Sequence, residues 1–171
     1  MYVPQSHGSG EVDRSKLAAC GANVVIEHGA LIFHPENVHL GDNVYIGHHA
    51  ILKGYYRNQL VIGDECWIGQ GAFLHAAGGI TLGRRVGIGP HVCVLSSMHG
   101  EAPREVAIMD APVTFAPVVI GAGSDIGVNA VILPGVTVGE GVQIGPGSVV
   151  HKDVPAFAMA LGNPARVVKL R

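Results

Sequence analysis

Of the ten histidines in this chain of 171 residues, His99 has the most telling place. It closes a regular run, Val92 to His99, and is followed by an irregular stretch from Gly100 to Pro117. A neutral imidazole takes the proton of a hydroxyl as that oxygen attacks, and can return it to a leaving group. An earlier irregular stretch, Tyr55 to Gln59, sets the phenols of Tyr55 and Tyr56 beside the guanidinium of Arg57. The longer stretch adds Glu101, Arg104, Glu105 and Asp110, so polar ligands fit the same region. The other histidines fall mostly at turn or outward positions, where a solvated ring needs no function. The three cysteines, Cys20, Cys66 and Cys93, are odd in number and lack CxxC spacing. They read as reduced thiols, two of them in or near the core.

The element that must position these groups is a repeat. Stepping by six from Ile120 gives Ile126, Ile132, Val138, Ile144 and Val150. The same step gives Leu82, Ile88, Val94; Ile62, Ile68, Leu74; Leu40, Ile46, Leu52; and Cys20, Ile26, Ile32. Four residues after the stops runs a column of smaller side chains, among them Val44, Ala50, Cys66, Ala72, Ser124 and Ser148. Period six is neither helical nor a plain alternating strand. It predicts a short flat strand, a sharp corner, and the same again, with three units per triangular coil. The register predicts six coils, starting near Cys20, Leu40, Ile62, Leu82, Ile120 and Val138, with small insertions such as Val38-His39 and Ile80-Thr81 between them. The expected organisation is an N-terminal arm and cap over 1–19, a β-helix over 20–155, and an extension over 156–171 that folds back along the column. Asp13 is the expected N-cap of a short capping helix, and His7 lies in the arm. Both irregular stretches leave the column at the same corner, and His99 points outward there. Function on a solenoid concentrates at such breaks.

Composition agrees and excludes other classes. Hydrophobic residues make up 48%, only 5% are aromatic, and there are 25 glycines, which suits many short strands and tight turns. A net charge of -2 leaves no basic field for nucleic acid or for an anionic membrane. No apolar run approaches the length of a membrane span. Met1 to Gly10 is polar and Gly-rich, unlike a secretory signal, so a cytoplasmic protein is expected.

The hexads resemble those of the left-handed parallel β-helix acyltransferases. Gly87-Ile88-Gly89-Pro90-His91-Val92-Cys93-Val94-Leu95-Ser96-Ser97-Met98-His99 is similar to the segment bearing the catalytic histidine in galactoside, maltose and lipopolysaccharide O-acetyltransferases. Val131-Ile132-Leu133-Pro134-Gly135-Val136, Gly145 to Pro155 and Gly162-Asn163-Pro164-Ala165-Arg166 are similar to that family's C-terminal signature. The resemblance covers about residues 20–171 and implies an all-β column, a homotrimer with active sites between subunits, and acetyl-CoA as cosubstrate without a metal. It implies His99 as catalytic base, with the cofactor held by backbone of the last coils, at positions such as Gly127 and Pro146. It also implies basic contacts to the CoA phosphates from Lys152, Arg166 and Lys169. Two departures are visible. Asp125 stands in the fifth coil where Trp often precedes Ile-Gly, as Trp67 does in the third, and it becomes a candidate partner for His99 of a neighbour. Gln70 and Ala72 occupy the segment where sugar acetyltransferases carry an oxyanion Asn, which leaves backbone N–H groups as donors.

The implied reaction moves an acetyl group from acetyl-CoA to a sugar or glycoconjugate hydroxyl. A carbonyl, or the carboxylate of Glu101, Asp110 or Asp125, would fix the tautomer of His99. Tyr55, Tyr56 and Arg57 are the candidate acceptor contacts, with Trp67 and His75 joining them from a neighbouring subunit. Three rival functions share the column. A sugar-nucleotide N-acetyltransferase needs a neutral amine and a higher pH optimum. A γ-carbonic-anhydrase-like zinc enzyme needs three converging histidines, yet His151 is the only histidine after His99. A structural or ice-binding prism needs an unbroken flat face.

Overall fold

In the computed structural model, which describes residues 9–171, three parallel sheets enclose one apolar core. The first face stacks Ala19–Cys20, Val38–Leu40, Leu60–Ile62, Ile80–Leu82, Val118–Ile120 and Thr137–Val138. The second stacks Val25–Ile26, Tyr45–Ile46, Trp67–Ile68, Gly87–Ile88, Asp125–Ile126 and Gln143–Ile144. The third stacks Leu31–Phe33, Ile51–Lys53, Phe73–His75, Cys93–Leu95, Val131–Ile132 and Val149–Val150. The fold is a left-handed parallel β-helix of six complete coils and part of a seventh.

Register follows from burial. Each inward aliphatic residue pairs with its copy on the next coil, Ile46 with Ile68 and Ile88 with Ile126. These four side chains are wholly buried, each contributing roughly 1.5–3 kcal/mol by leaving water. A one-residue slip would turn the whole ladder outward, so the pattern enforces the pairing. The column of small residues is buried as well, and its two serines are satisfied. Ser124 Oγ donates to the Gly139 carbonyl at 2.8 Å and accepts from Val142 N at 3.0 Å. Ser148 Oγ donates to the Gly145 carbonyl at 2.7 Å and accepts from Gly162 N at 3.1 Å. Cys20, at the open end of the ladder, is exposed; Cys66 is buried, its thiol donating to the Gly83 carbonyl at 3.0 Å. Burial pushes the Cys66 and Cys93 thiols above their usual range.

Corners need left-handed backbone. Asn43, Glu65 and Arg85 turn the first corner at φ 56°, 58° and 58°. At the second corner Gly71 has φ 65°, a backbone that His49, His91 and Asn129 also adopt on other coils at φ 60°, 56° and 59°, and a Cβ at Gly71 would fall 2.5 Å from His91 Nδ1, so that ring would have to shift.

Two details differ from the sequence reading. Val38-His39 and Ile80-Thr81 belong to strands, not insertions. First-face strands of three residues bury both ends, as Val38 with Leu40 and Ile80 with Leu82 do. The extra residues sit instead at the third corner, over 34–37 and 76–79. The tail also continues the column: Ala158–Gly162 pairs parallel with Gln143–Ile144 as a partial seventh rung, and Ala165–Leu170 returns antiparallel along it. At the other end Arg14–Lys16 forms a single 3₁₀ turn, with the Asp13 carboxylate accepting from Ser15 N. His7 lies outside the described residues.

Candidate active site

The third corner, between the third and first faces, is where the chain leaves the column. The largest excursion is a β-arm: Ser97–His99 runs antiparallel to Val113–Phe115, pairing His99 with Val113. His99 therefore lies on a strand of the arm and not at the last position of a coil. Ser96 roots the arm. Wholly buried, it donates through Oγ to the His75 carbonyl at 2.7 Å and accepts from Gly78 N at 2.8 Å. Its own carbonyl accepts from Ala116 N at 2.9 Å.

A cleft of about 280 Å³ opens beside this arm, lined by Tyr55, His75, Ser97, Met98, His99, Val113 and Phe115. His99 Nδ1 stands 3.3 Å from the carbonyl oxygen of Ala111, the buried residue after the 3₁₀ turn Ile108–Asp110. When that nitrogen carries the proton it donates to the carbonyl, and Nε2 keeps a lone pair able to accept one. Of the foreseen partners, a carbonyl or a carboxylate, the one found at this nitrogen is thus a backbone carbonyl, which adds no charge to the site.

Tyr55 is the hub of the region. Its ring lies 6.0 Å from His75, 6.3 Å from Phe115, 4.6 Å from Tyr56 and 6.1 Å from His34. The short excursion that carries it is pinned. Tyr55 and Asn58 exchange backbone hydrogen bonds at 3.1 and 3.3 Å, Asn37 Nδ2 donates to the Tyr55 carbonyl at 2.8 Å, and Asn58 Nδ2 donates to the Ala77 carbonyl at 2.6 Å. Arg57 lies over Tyr56, 5.0 Å from the ring centroid. It borders a neighbouring groove and not the His99 cleft. One rung before His75, Lys53 sets its ammonium 5.5 Å from the Phe33 ring, and burial lowers its pKa.

His75 lines the cleft from the same chain as His99, where a neighbour had been expected to supply it. Its strand ends at the same corner that the arm leaves. Asp125 and Trp67 are elsewhere. Both point outward from the second face, and in a three-sided column the third corner lies opposite that face. Trp67 stacks on Tyr45 at 5.7 Å, and Asp125 lies over Gly87, whose missing Cβ would fall 2.6 Å from Asp125 Oδ1. Only a second copy of the chain can bring either residue to His99.

Lys152 and Arg166 come together. They line a pocket of about 240 Å³ at the end of the column, with Asp153, Ala165 and Val167. Among the described residues neither makes an ion pair. Asp153 is occupied, accepting from Thr137 N at 2.7 Å. Lys152 stands at the third corner two coils beyond the arm, ~10 Å along the axis at the usual rung spacing. Lys169 is outside this pocket, opposite Met159 on the last strand. Gly127 and Pro146 stack at the second corner, where a Cβ on Gly127 would lie 2.6 Å from Pro146 N. Sequence reading missed Phe115, Met98, Ser96 and the Ala111 carbonyl. The alternation Val113-Thr114-Phe115, facing Ser97-Met98-His99, was the available signal for a hairpin. Among the described residues no group of three or more His, Cys, Asp or Glu side chains is placed to hold a metal ion, and no helix is long and apolar enough to cross a membrane.

The chain is similar to known proteins in sequence and fold. Residues 117–152 match the family described as bacterial transferase hexapeptide (six repeats), and residues 59–89 match the hexapeptide repeat of succinyl-transferase. WcaF of Escherichia coli strain K12, named as a colanic acid biosynthesis acetyltransferase, is 32% identical over 132 residues, 77% of this chain and 69% of its own. A Saccharomyces cerevisiae protein named as an acetyltransferase is 32% identical over 160 residues, 93% of this chain and 69% of its own. Among solved structures, a mutant of AntD, an N-acyltransferase from Bacillus cereus in complex with dTDP and coenzyme A, superposes with TM-score 0.81 at 25% identity, covering 91% of this chain and 85% of that one. A maltose O-acetyltransferase from Clostridium difficile gives 0.63 at 27% identity, covering 92% and 71%.

Proposed function

The chain belongs to the hexapeptide-repeat acyltransferases and is an acyl-CoA-dependent acetyltransferase, and from that premise we propose that it moves an acetyl group from acetyl-CoA to a sugar hydroxyl with His99 as general base. The observation that carries this reading is the orientation of His99: Nδ1 is held by the Ala111 carbonyl, and the ring lies in a cleft with Tyr55 and His75. Nε2 takes the acceptor's hydroxyl proton while the oxygen attacks the thioester carbonyl. The tetrahedral intermediate collapses, the carbon–sulfur bond breaks, and the imidazolium returns its proton to the departing thiolate. The Ala111 carbonyl stabilises the transient charge on the ring. Ala72 is wholly buried and Gln70 turns the second corner, so backbone N–H groups are the proposed oxyanion donors.

Acetyl-CoA is proposed to run along the third corner, thioester at His99 and phosphates at Lys152 and Arg166, with Gly127 and Pro146 offering backbone from a neighbouring copy. Lys suits a phosphate as a point charge and Arg as a planar fork. Lys169 lies outside that pocket, opposite Met159. The working unit is proposed to be a trimer, in which a neighbour's second face brings Asp125 and Trp67 against the arm. The proposed compartment is the cytoplasm, in keeping with three unpaired thiols. WcaF and the maltose enzyme favour a sugar acceptor.

The test is release of free thiol from acetyl-CoA with a panel of sugars. Turnover that falls about 10²–10⁴-fold in His99→Ala, at unchanged oligomeric state, supports the reading. A loss below tenfold rejects His99 as the base. An activity confined to amino sugars, with a raised pH optimum, would move the assignment to N-acetylation.

A further inference from the structure

The His99 cleft does not end at Tyr55. Tyr55 and Phe115 line it, and the same two residues also line a second groove of about 270 Å³, with Tyr56, Arg57, Asn58 and Ala77. One aromatic ridge therefore separates the catalytic histidine from a guanidinium. Arg57 has no carboxylate partner among the described residues, and residues 1–8 contain neither Asp nor Glu. Its turn is fixed by the Asn37 and Asn58 hydrogen bonds, so the charge is presented from a rigid base. Arg57 also borders a shallower groove with Asn37, Gln59 and Thr81, a polar continuation around the corner.

We propose that the acceptor is larger than one neutral sugar: the reacting ring lies in the His99 cleft, and an attached anionic group, on an adjoining sugar or at the glycosidic oxygen, is bound by Arg57 across the Tyr55–Phe115 ridge. This rests on the sugar-acetyltransferase reading and adds the acceptor's charge. The aromatic faces take the apolar side of the sugar rings, and the guanidinium forks onto two oxygens of a carboxylate or phosphate. Both groups satisfy the same chemistry, so the source is left to the test.

Four acceptors separate the outcomes: a neutral methyl glycoside, the matching sugar 1-phosphate, a neutral disaccharide, and a disaccharide ending in a uronic acid. Thiol release from acetyl-CoA should favour the charged member of at least one pair by about tenfold in kcat/KM, the scale of a charge-assisted contact. The phosphate pair responding identifies a glycosyl phosphate, and the disaccharide pair identifies a uronate. Arg57→Gln should erase that preference through KM, and Arg57→Lys should restore part of it. If no member turns over, calorimetric affinities of the four compounds for the CoA-saturated protein read the same ratio. Equal treatment of charged and neutral members, or a preference that survives Arg57→Gln, overturns the inference. The reading it rests on fails separately: thiol release with other acceptors but with no sugar removes the sugar, and a fully active His99→Ala removes the base.

Discussion

The second and third corners of the column use the same coils to opposite ends. The second corner turns identically on every coil, with Gly47, Gly69, Gly89, Gly127 and Gly145 packed so closely on the coil above that a Cβ would meet backbone or a side chain within 3 Å. Nothing can be inserted there without breaking the stack. The third corner carries every excursion: 34–37, 54–59, 76–79 and the arm from Ser97 to Phe115. A uniform corner supplies rigidity, and a permissive one supplies His99, Tyr55 and the Lys152 pocket. Chemistry therefore collects along one edge of a column whose other parts are fixed by packing.

The largest effect that tests this contrast is at the permissive edge. His99→Ala should lower kcat about 10²–10⁴-fold while the melting temperature stays within a few degrees, since the ring is exposed. A large loss of stability would make His99 structural and erase the contrast. Next comes the interior: Ile88→Ala or Ile126→Ala should cost roughly 2–5 kcal/mol in denaturant unfolding, with kcat per folded molecule unchanged. Smaller effects are expected at the end of the edge. Lys152→Ala and Arg166→Ala should each raise the KM for acetyl-CoA about 10–10²-fold with little change in kcat, as lost charge-assisted bonds of ~1.5–3 kcal/mol imply. A fall in kcat without a change in KM would remove them from the cofactor site.

The smallest effect reads burial through thiol chemistry. Cys20 is exposed, Cys93 half-buried and Cys66 buried, and burial raises the latter two thiols, which keeps them protonated further into the alkaline range. Alkylation near neutral pH should label Cys20 first, Cys93 later and Cys66 only on unfolding. Early labelling of Cys66 would mean that the coils open locally.

The hexad ladder made the core legible in advance because its geometry is fixed by period alone: Ile46, Ile68, Ile88 and Ile126 could only stack. The third corner was legible as a place, since Tyr55 and His99 both fall where the period fails. Its interior was not. Period says nothing about a loop that pairs with itself, so Phe115, which shares the His99 cleft, and the Ala111 carbonyl, which faces His99 Nδ1, went unseen. The placement of His75 with His99 in one chain, and of Asp125 on the opposite face, likewise depends on which corner each strand meets.

The most direct measurement is a crystal structure with coenzyme A bound. The account predicts the CoA sulfur beside His99 Nε2, within hydrogen-bond reach or one water away, in a cleft walled by two copies of the chain, with its phosphates at Lys152 and Arg166. Coenzyme A bound away from the third corner, or a sulfur remote from His99, would contradict it.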